Sequence, residues 1–158
     1  MGIAPSDADW MQVALKLAQT AADNNEVPVG ALVVINDQCI SQAYNSPISL
    51  CNPTAHAEVL ALEKAAMVIG NYRLTAATVY VTLEPCIMCL GAMIQARIKR
   101  LVFAAHDRRA GSIESQFQII QSQILNHSLE FTGGVLASES IAILQTFFRA
   151  RRKKRISL

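Results

Sequence analysis

The sequence predicts an α/β domain in three layers (α-β-α), with a mixed five-stranded sheet between helices. Three observations predict it. Hydrophobic residues make up 52% of the chain and charged residues 16%, a composition rich in core-forming side chains. With 158 residues the chain has the size of one ordinary domain, so we expect a single domain over 1–158. One helical pattern precedes a hairpin, after which helices alternate with strands, an order typical of layered α/β proteins.

The first elements follow from hydrophobic periodicity. Apolar side chains recur at helical spacing over residues 7–23, preceded by Ser6 as a suitable N-cap. Residues 29–35 form a continuous β-branched run, which indicates a buried strand. The turn-forming residues 36–38 then predict a hairpin whose second strand covers 39–44.

The middle of the chain alternates between the two periodicities. A loop containing two prolines leads into a predicted helix over 55–69. A strand over 78–82, a helix over 85–97 and a strand over 100–104 follow. This alternation, after the hairpin, implies a layered α/β domain with a mixed sheet.

The last third carries weaker signals. We predict a helix over 115–125, a short strand over 129–132, and a closing basic helix over 138–155. The Gly133-Gly134 pair predicts the turn between the last two.

Two short motifs combine residue types that bind zinc. His56-Ala57-Glu58 opens the second predicted helix, and Pro85-Cys86-Ile87-Met88-Cys89 opens the third, where Pro85 suits the first helical position. One imidazole and two thiolates suit Zn²⁺ in a cytosolic protein, and three protein ligands leave the fourth tetrahedral position open, as in catalytic sites. We therefore expect one catalytic zinc ion per chain.

Glu58 has the position of a catalytic carboxylate. It is not needed as a ligand, and a carboxylate beside a zinc-activated hydroxide can take up a proton and deliver it to substrate. However, His56 and Glu58 are two residues apart and would point to nearly opposite sides of a regular helix. We expect the metal to lie beyond the N-terminal end of the helix, where both side chains can reach it.

A structural zinc site is the alternative to a catalytic one. Such a site normally has a fourth Cys or His at matching spacing. The other cysteines, Cys39 and Cys51, do not form a second CxxC pair. This spacing favours the open, catalytic site.

The charge is distributed unevenly along the chain. Residues 1–148 carry 8 basic and 12 acidic side chains, whereas residues 149–158 carry 6 basic and no acidic ones. A concentrated basic segment on an acidic body favours an RNA-binding role over a merely solvated end.

The two motifs together match the signature H-x-E…P-C-x-x-C of zinc-dependent nucleobase deaminases. Surrounding residues resemble more narrowly the bacterial tRNA adenosine deaminases, and the resemblance extends from the first helix to the end of the chain. The matching segments are Glu26–Gly30, Asn45, Pro53–Glu58, Asn71–Leu74, Val81–Cys86, Gly91–Ile94, Asp107, Leu125–His127 and Phe147–Arg149.

The resemblance implies a cytidine-deaminase-like fold, a homodimer, and conversion of adenosine to inosine at the wobble position of a tRNA anticodon. It implies that His56, Cys86 and Cys89 hold zinc, and that Glu58 shuttles protons. Other residues are expected to contact the substrate: Asn45 the flipped adenine, and Asp107, Arg109, Phe147, Phe148 and Arg149 the RNA.

The chain departs from the family pattern after Asp107. Arg109 replaces a usual Lys, and the glycine-rich GAxGS stretch is here Gly111-Ser112-Ile113-Glu114-Ser115, which keeps only the first glycine and the serine. In addition, Ser128 replaces a usual basic residue, and Ser140 a frequent Cys. None of these positions is an expected metal ligand.

Two other functions are compatible with parts of the sequence. A deaminase of a free base or nucleoside, of the guanine or cytosine type, would not need the basic tail. A non-catalytic zinc or RNA-binding module would not need Glu58. The sequence also shows neither a signal peptide nor an apolar run long enough to span a bilayer, so we expect a cytoplasmic protein with tRNA, and not DNA or membrane, as its partner.

Overall fold

The computed structural model describes residues 3–122 and 125–156 and confirms the α/β prediction. Four α-helices accompany a five-stranded sheet within these residues. The elements are α1 (Asp7–Asp23), β1 (Gly30–Ile35), β2 (Gln38–Tyr44), α2 (Ala57–Ile69), β3 (Thr78–Leu83), α3 (Ile87–Gln95), β4 (Arg100–Ala105), β5 (Glu130–Thr132) and α4 (Ala137–Ile156).

Local chemistry accounts for the first helix and the hairpin. Ser6 caps α1 through a capping box, in which its hydroxyl accepts the N–H of Asp9 and the Asp9 carboxylate accepts the N–H of Ser6. Asn36 and Asp37 both have positive φ, at 51° and 56°. Two such residues form the two-residue hairpin turn whose twist matches the flanking strands.

The sheet is mixed, in the order β2-β1-β3-β4-β5. β1 pairs antiparallel with β2 and with β3, whereas β3, β4 and β5 are parallel neighbours. The carboxyl ends of β3 and β4 therefore lie at the same edge, where Leu83 pairs with Ala105. This edge carries the candidate site.

Helices cover both faces of the sheet, as the three-layer prediction requires. On one face α1 and α4 contact the sheet and each other, and Met11 and Ala14 pack against Leu32 and Val102. On the opposite face, α2 and α3 enclose the larger core. Gly30 permits the close approach of α1, because a Cβ there would lie 2.1 Å from the carbonyl oxygen of Ala14.

Two predictions about the later elements are wrong. The predicted helix over 115–125 is a single 3₁₀ turn over Ile119–Gln121, and positions 123–124 of that range lie outside the described residues. The preceding loop is instead shaped by hydrogen bonds to a distant side chain, described below. Pro85 is not the first helical residue, because Cys86 is the N-cap of α3 and the helix begins at Ile87.

The closing helix agrees with the prediction within one residue at each end. Near its start, Ser140 is buried and its hydroxyl donates to the carbonyl of Thr82 on β3, at 2.5 Å. In the part of the chain that the structure describes, no helix combines the length and hydrophobicity of a membrane span.

Candidate metal centre and active site

Two helix N-termini meet at the candidate metal centre. His56 is the N-cap of α2 and Cys86 is the N-cap of α3, both with extended backbone. Neither side chain caps its own helix by a hydrogen bond. Because His56 precedes the regular helix, the expected opposition between His56 and Glu58 does not apply.

The three predicted ligands lie around one point. Nδ1 of His56 is 3.7 Å from Sγ of Cys86 and 3.5 Å from Sγ of Cys89. The three ligand atoms all lie within 4.8 Å of one another. One imidazole nitrogen and two sulfurs form the donor set that zinc prefers, so these residues could hold a zinc ion.

The side chains of His56, Cys86 and Cys89 share protons through hydrogen bonds, an arrangement that favours binding of a cation. A hydrogen bond from Cys89 lowers the pKa of the Cys86 thiol to about 4, and the contact with His56 acts in the same direction. Donating that bond raises the pKa of Cys89, and the bond with Cys86 raises the pKa of His56. A metal ion would replace these shared protons and bind both sulfurs as thiolates.

Glu58 is a buried carboxyl group beside this centre. Only 4% of its surface is exposed, and burial raises its pKa to about 7. The Glu58 carboxyl and the Cys89 thiol also share a hydrogen bond. A carboxyl group with this pKa can both accept and release a proton near neutral pH.

Asn45 follows the last residue of β2 and is 7% exposed. Its backbone N–H donates to the carbonyl of Val29 at 2.9 Å. The next residue, Ser46, donates its N–H to the carbonyl of Ala55, one position before His56. These bonds hold the Asn45 segment against the segment that carries the histidine ligand.

An open cavity of about 610 Å³ lies at the carboxyl ends of β3 and β4. None of the three predicted metal ligands lines it. Of the predicted RNA-contacting residues, Asp107, Arg109 and Phe148 line this cavity.

Phe147 and Arg149 do not line this cavity. Phe147 is buried on another side of α4, facing Gln19 and Ala22 of α1, and the Arg151 guanidinium stacks over its ring at 5.0 Å. Arg149 is exposed. Phe147 and Phe148 therefore lie on different faces of α4, and of these two residues we assign only Phe148 to the cavity.

Sequence reasoning missed several lining residues. Four of them form a stripe along α4 with Phe148 at helical spacing, a signal that the periodicity of the helix could have supplied. They are Ile141, Leu144, Gln145 and Arg152. No role was predicted for Glu84 from the sequence. This residue immediately precedes Pro85, and only 2% of its surface is exposed.

Comparisons with known proteins agree with this arrangement. The family model of MafB19-like deaminases matches residues 5–152. The tRNA-specific adenosine deaminase of Haemophilus influenzae is 47% identical over 94% of this chain and 87% of its own length. That of Bacillus subtilis is 40% identical over 94% of this chain and 92% of its own.

Solved structures show the same fold. One from a study of A-to-I editing by tRNA:A34 deaminases at the wobble position has a TM-score of 0.84 and 38% identity, covering 85% of this chain and 98% of that one. A guanine deaminase from Nitrosomonas europaea has a TM-score of 0.79, but its 22% identity over 93% of this chain and 86% of that one identifies the fold alone. The cytidine-deaminase-like fold is thus confirmed, and the chain belongs to the family of tRNA-specific adenosine deaminases within the MafB19-like deaminases.

Proposed function

We propose that this protein hydrolyses adenosine to inosine at the wobble position of a tRNA anticodon, releasing ammonia. One observation carries the proposal. A chain of this family brings His56, Cys86 and Cys89 together within 4.8 Å, with the buried carboxyl group of Glu58 beside them. The curated relatives are named for the same activity.

Zinc fits the residues present, and the proposal includes one zinc ion per chain held by His56, Cys86 and Cys89. When bound, zinc supplies a water of lowered pKa as the nucleophile for C6 of adenine. The N-termini of α2 and α3 converge on the same point, and their dipoles favour negative charge there.

Glu58 would move the protons of the reaction. Its carboxylate takes one proton from the attacking water and delivers it to the ring nitrogen next to C6. The same group then moves the second proton of that water, from the oxygen now bonded to C6, to the departing amine as the C–N bond breaks, so that water and adenosine give inosine and ammonia. Burial raises the pKa of Glu58 to about 7, and both steps need a group that exchanges protons readily.

Substrate contacts extend from this centre. Asn45 would hydrogen-bond the flipped adenine, because a buried amide can match donor and acceptor groups of a purine edge. Asp107, Arg109 and Phe148 would contact the adjoining anticodon loop in the cavity. The basic side chains of α4 would bind phosphates, with Arg152 lining the same cavity.

The proposal retains the homodimer and the cytoplasmic location as predictions. Met67, Val68 and Tyr72 expose more than half of their surfaces at the end of α2, which leaves apolar area for contact with a second copy. Light scattering on the purified protein would measure the oligomeric state.

The decisive experiment offers the protein three anticodon stem-loops, bearing adenosine, cytidine or guanosine at the first anticodon position. We expect inosine from the adenosine substrate alone, detected by mass. Free guanine and cytosine serve as further substrates, since conversion of either without conversion of a stem-loop would favour a free-base deaminase.

A further inference from the structure

Glu84 is a buried carboxylate that neither binds the metal nor moves protons in the proposed reaction. It lies directly between β3 and the Pro85-Cys86 motif, and only 2% of its surface is exposed. It accepts five hydrogen bonds, all from the loop that follows β4. The donors are the backbone N–H groups of Asp107 (3.0 Å), Ile113 (3.0 Å), Glu114 (2.7 Å) and Ser115 (3.0 Å), together with the hydroxyl of Ser115.

Its two oxygens hold different parts of that loop. Oε1 accepts the three N–H groups of residues 113–115, whereas Oε2 accepts the N–H of Asp107 and the hydroxyl of Ser115. The Glu84 side chain therefore joins the first and the last residue of the loop over 107–115.

Two hydrogen bonds from Ser112 also attach this loop to the Pro85 segment. Ser112 donates both its N–H, at 2.9 Å, and its hydroxyl, at 2.8 Å, to the carbonyl of Pro85. Gly111 leaves room for the carboxylate, because a Cβ at that position would lie 2.4 Å from Oε2 of Glu84. Gly111 and Ser115 are the two residues of the glycine-rich family pattern that this chain keeps, and both contact Glu84.

The loop held in this way carries the RNA-facing side chains. Asp107 and Arg109 line the cavity at the carboxyl ends of β3 and β4. Oδ1 of Asp107 in turn accepts the N–H of Arg109 at 2.9 Å and that of Ala110 at 3.3 Å, which shapes the turn between them. A shift of Asp107 away from Glu84 would displace Arg109 as well.

We propose that Glu84 is a positioning residue for the RNA substrate: it fixes the loop of residues 107–115 relative to the metal ligands. Glu84 stands two positions before Cys86 in the chain, so one short segment connects the loop to the metal centre. If the loop already has its RNA-binding conformation in the free protein, RNA binding does not have to order it and costs less conformational entropy. This inference rests on the proposed function, since it assigns RNA contact to the loop.

The test compares Glu84→Gln with the wild-type protein on the adenosine stem-loop. Glutamine keeps one carbonyl oxygen for the N–H groups of 113–115 but presents an NH₂ group toward the N–H of Asp107. We expect KM to rise about tenfold, the effect of one or two side chains that must be ordered on binding. We expect kcat to change less than about threefold, because Glu84 does not touch the reacting atoms. The zinc content should remain that of the wild type.

A matched control separates positioning from general stability. Asp7, like Glu84, is a carboxylate that is hydrogen-bonded to a distant part of the chain. It is only partly buried, and it binds Arg100 at the other end of β4. Asp7→Asn should therefore lower thermal stability without raising KM. Amide hydrogen exchange in the same samples should become faster at residues 107 and 113–115 in Glu84→Gln and remain unchanged there in Asp7→Asn.

A second variant covers the case in which Glu84→Gln does not fold. Ser115→Ala removes one hydroxyl from the same carboxylate, and we expect it to raise KM by about threefold, as the loss of a single modest hydrogen bond would. Where both variants fold, their combination should raise KM by less than the product of the single effects, because both act through one contact.

Several outcomes would overturn the inference. These are an unchanged KM in Glu84→Gln, loss of zinc from it, a fall in kcat at constant KM, or an equal rise of KM in Asp7→Asn. Failure of the proposed function has a different signature, since the wild type itself would then convert no stem-loop. Titration of labelled stem-loop would in that case decide whether Glu84→Gln weakens RNA binding, and equal affinity would overturn the inference too.

Discussion

Nδ1 of His56 lies 3.7 Å from Sγ of Cys86, and each residue is the N-cap of its helix. An N-cap residue has extended backbone, so its side chain can point beyond the helix end instead of along the helix surface. Two such residues from separate helices can therefore share one metal ion. The regular helices behind them bury the rest of the site.

The first prediction concerns the metal. We expect one zinc ion per chain, and its loss in His56→Ala, Cys86→Ser or Cys89→Ser, because each change leaves only two protein ligands. The matched controls are Cys51→Ser, at an exposed position, and Cys39→Ser. Elemental analysis of the purified variants measures the content. Zinc loss in Cys51→Ser would contradict a site with three protein ligands.

The second prediction separates catalysis from binding. Glu58→Ala should retain zinc and RNA affinity but lose ~10²–10⁴-fold or more in kcat, because proton transfer by a positioned carboxylate is removed. Glu63→Gln, an exposed acid on the same helix, serves as the control. Single-turnover measurements with saturating protein give the rate. If Glu58→Ala keeps substantial activity, another group moves the protons.

The third prediction concerns recognition of the base. Asn45→Ala should reduce kcat/KM by the equivalent of ~1–3 kcal/mol, the cost of leaving a buried polar edge of the purine without its partner. Zinc content should not change, because Asn45 is not a ligand. Gln38→Ala removes an exposed amide at the start of β2, the strand that precedes Asn45, and should have no effect. Wild-type kinetics in Asn45→Ala would exclude the proposed contact.

The fourth prediction concerns stability and pH. The hydrogen bond from Arg100 holds the pKa of Asp7 below its ordinary value, and Tyr80 also donates to Asp7. A carboxylate with a lowered folded-state pKa stabilises the fold above its unfolded-state pKa of about 3.9 and loses this effect as the pH falls toward the folded value. The pair is partly exposed, so we expect Asp7→Asn to cost about 1 kcal/mol at pH 6–7.

Chemical denaturation at several pH values measures this effect. The difference in the free energy of unfolding between wild type and Asp7→Asn should be constant from about pH 7 to pH 5 and should shrink below about pH 4. A difference that persists undiminished at the lowest pH would mean that packing, and not the ionised pair, accounts for it.

Local patterns predicted most of this architecture. The helices α1, α2 and α4 and the β-branched strands follow from periodicity, which depends only on neighbouring residues. The clustering of His56, Cys86 and Cys89 could be predicted for a similar reason. Each motif places its residues at one helix start, and the one strand between them, β3, returns the chain to the same edge of the sheet.

The remaining features depend on contacts between distant residues. The predicted helix over 115–125 begins at Ser115, but the Glu84 carboxylate accepts the N–H groups of residues 113–115, and nothing in the local sequence identifies that acceptor. The different environments of Phe147 and Phe148 also result from contacts between distant residues. Their adjacency suggested a common role, whereas the packing of α4 against α1 determines which ring is buried.

The last prediction tests the basic end of α4. RNA affinity falls with salt by ~0.7 logarithmic units per neutralised phosphate in single strands, so fewer cations should give weaker binding and a shallower slope. Arg151 stacks on Phe147 and donates to the carbonyl of Asn25, so the test variant keeps Arg151 and these two contacts. The test variant replaces Arg152, Lys153, Lys154 and Arg155 by Gln, which lowers the formal net charge of +2 by four.

A charge-matched control distinguishes the position of these cations from their number. It replaces four exposed cations elsewhere on the chain, namely Lys16, Lys64, Arg73 and Lys99, by Gln. Titration of a labelled stem-loop at several salt concentrations should show a shallower slope for the α4 variant than for the control, with zinc content unchanged in both. The reason is that a salt slope counts the cations in contact with phosphates, whereas a change in net charge affects both variants alike. Equal slopes in the two variants would mean that the end of α4 is solvated and that RNA binds elsewhere.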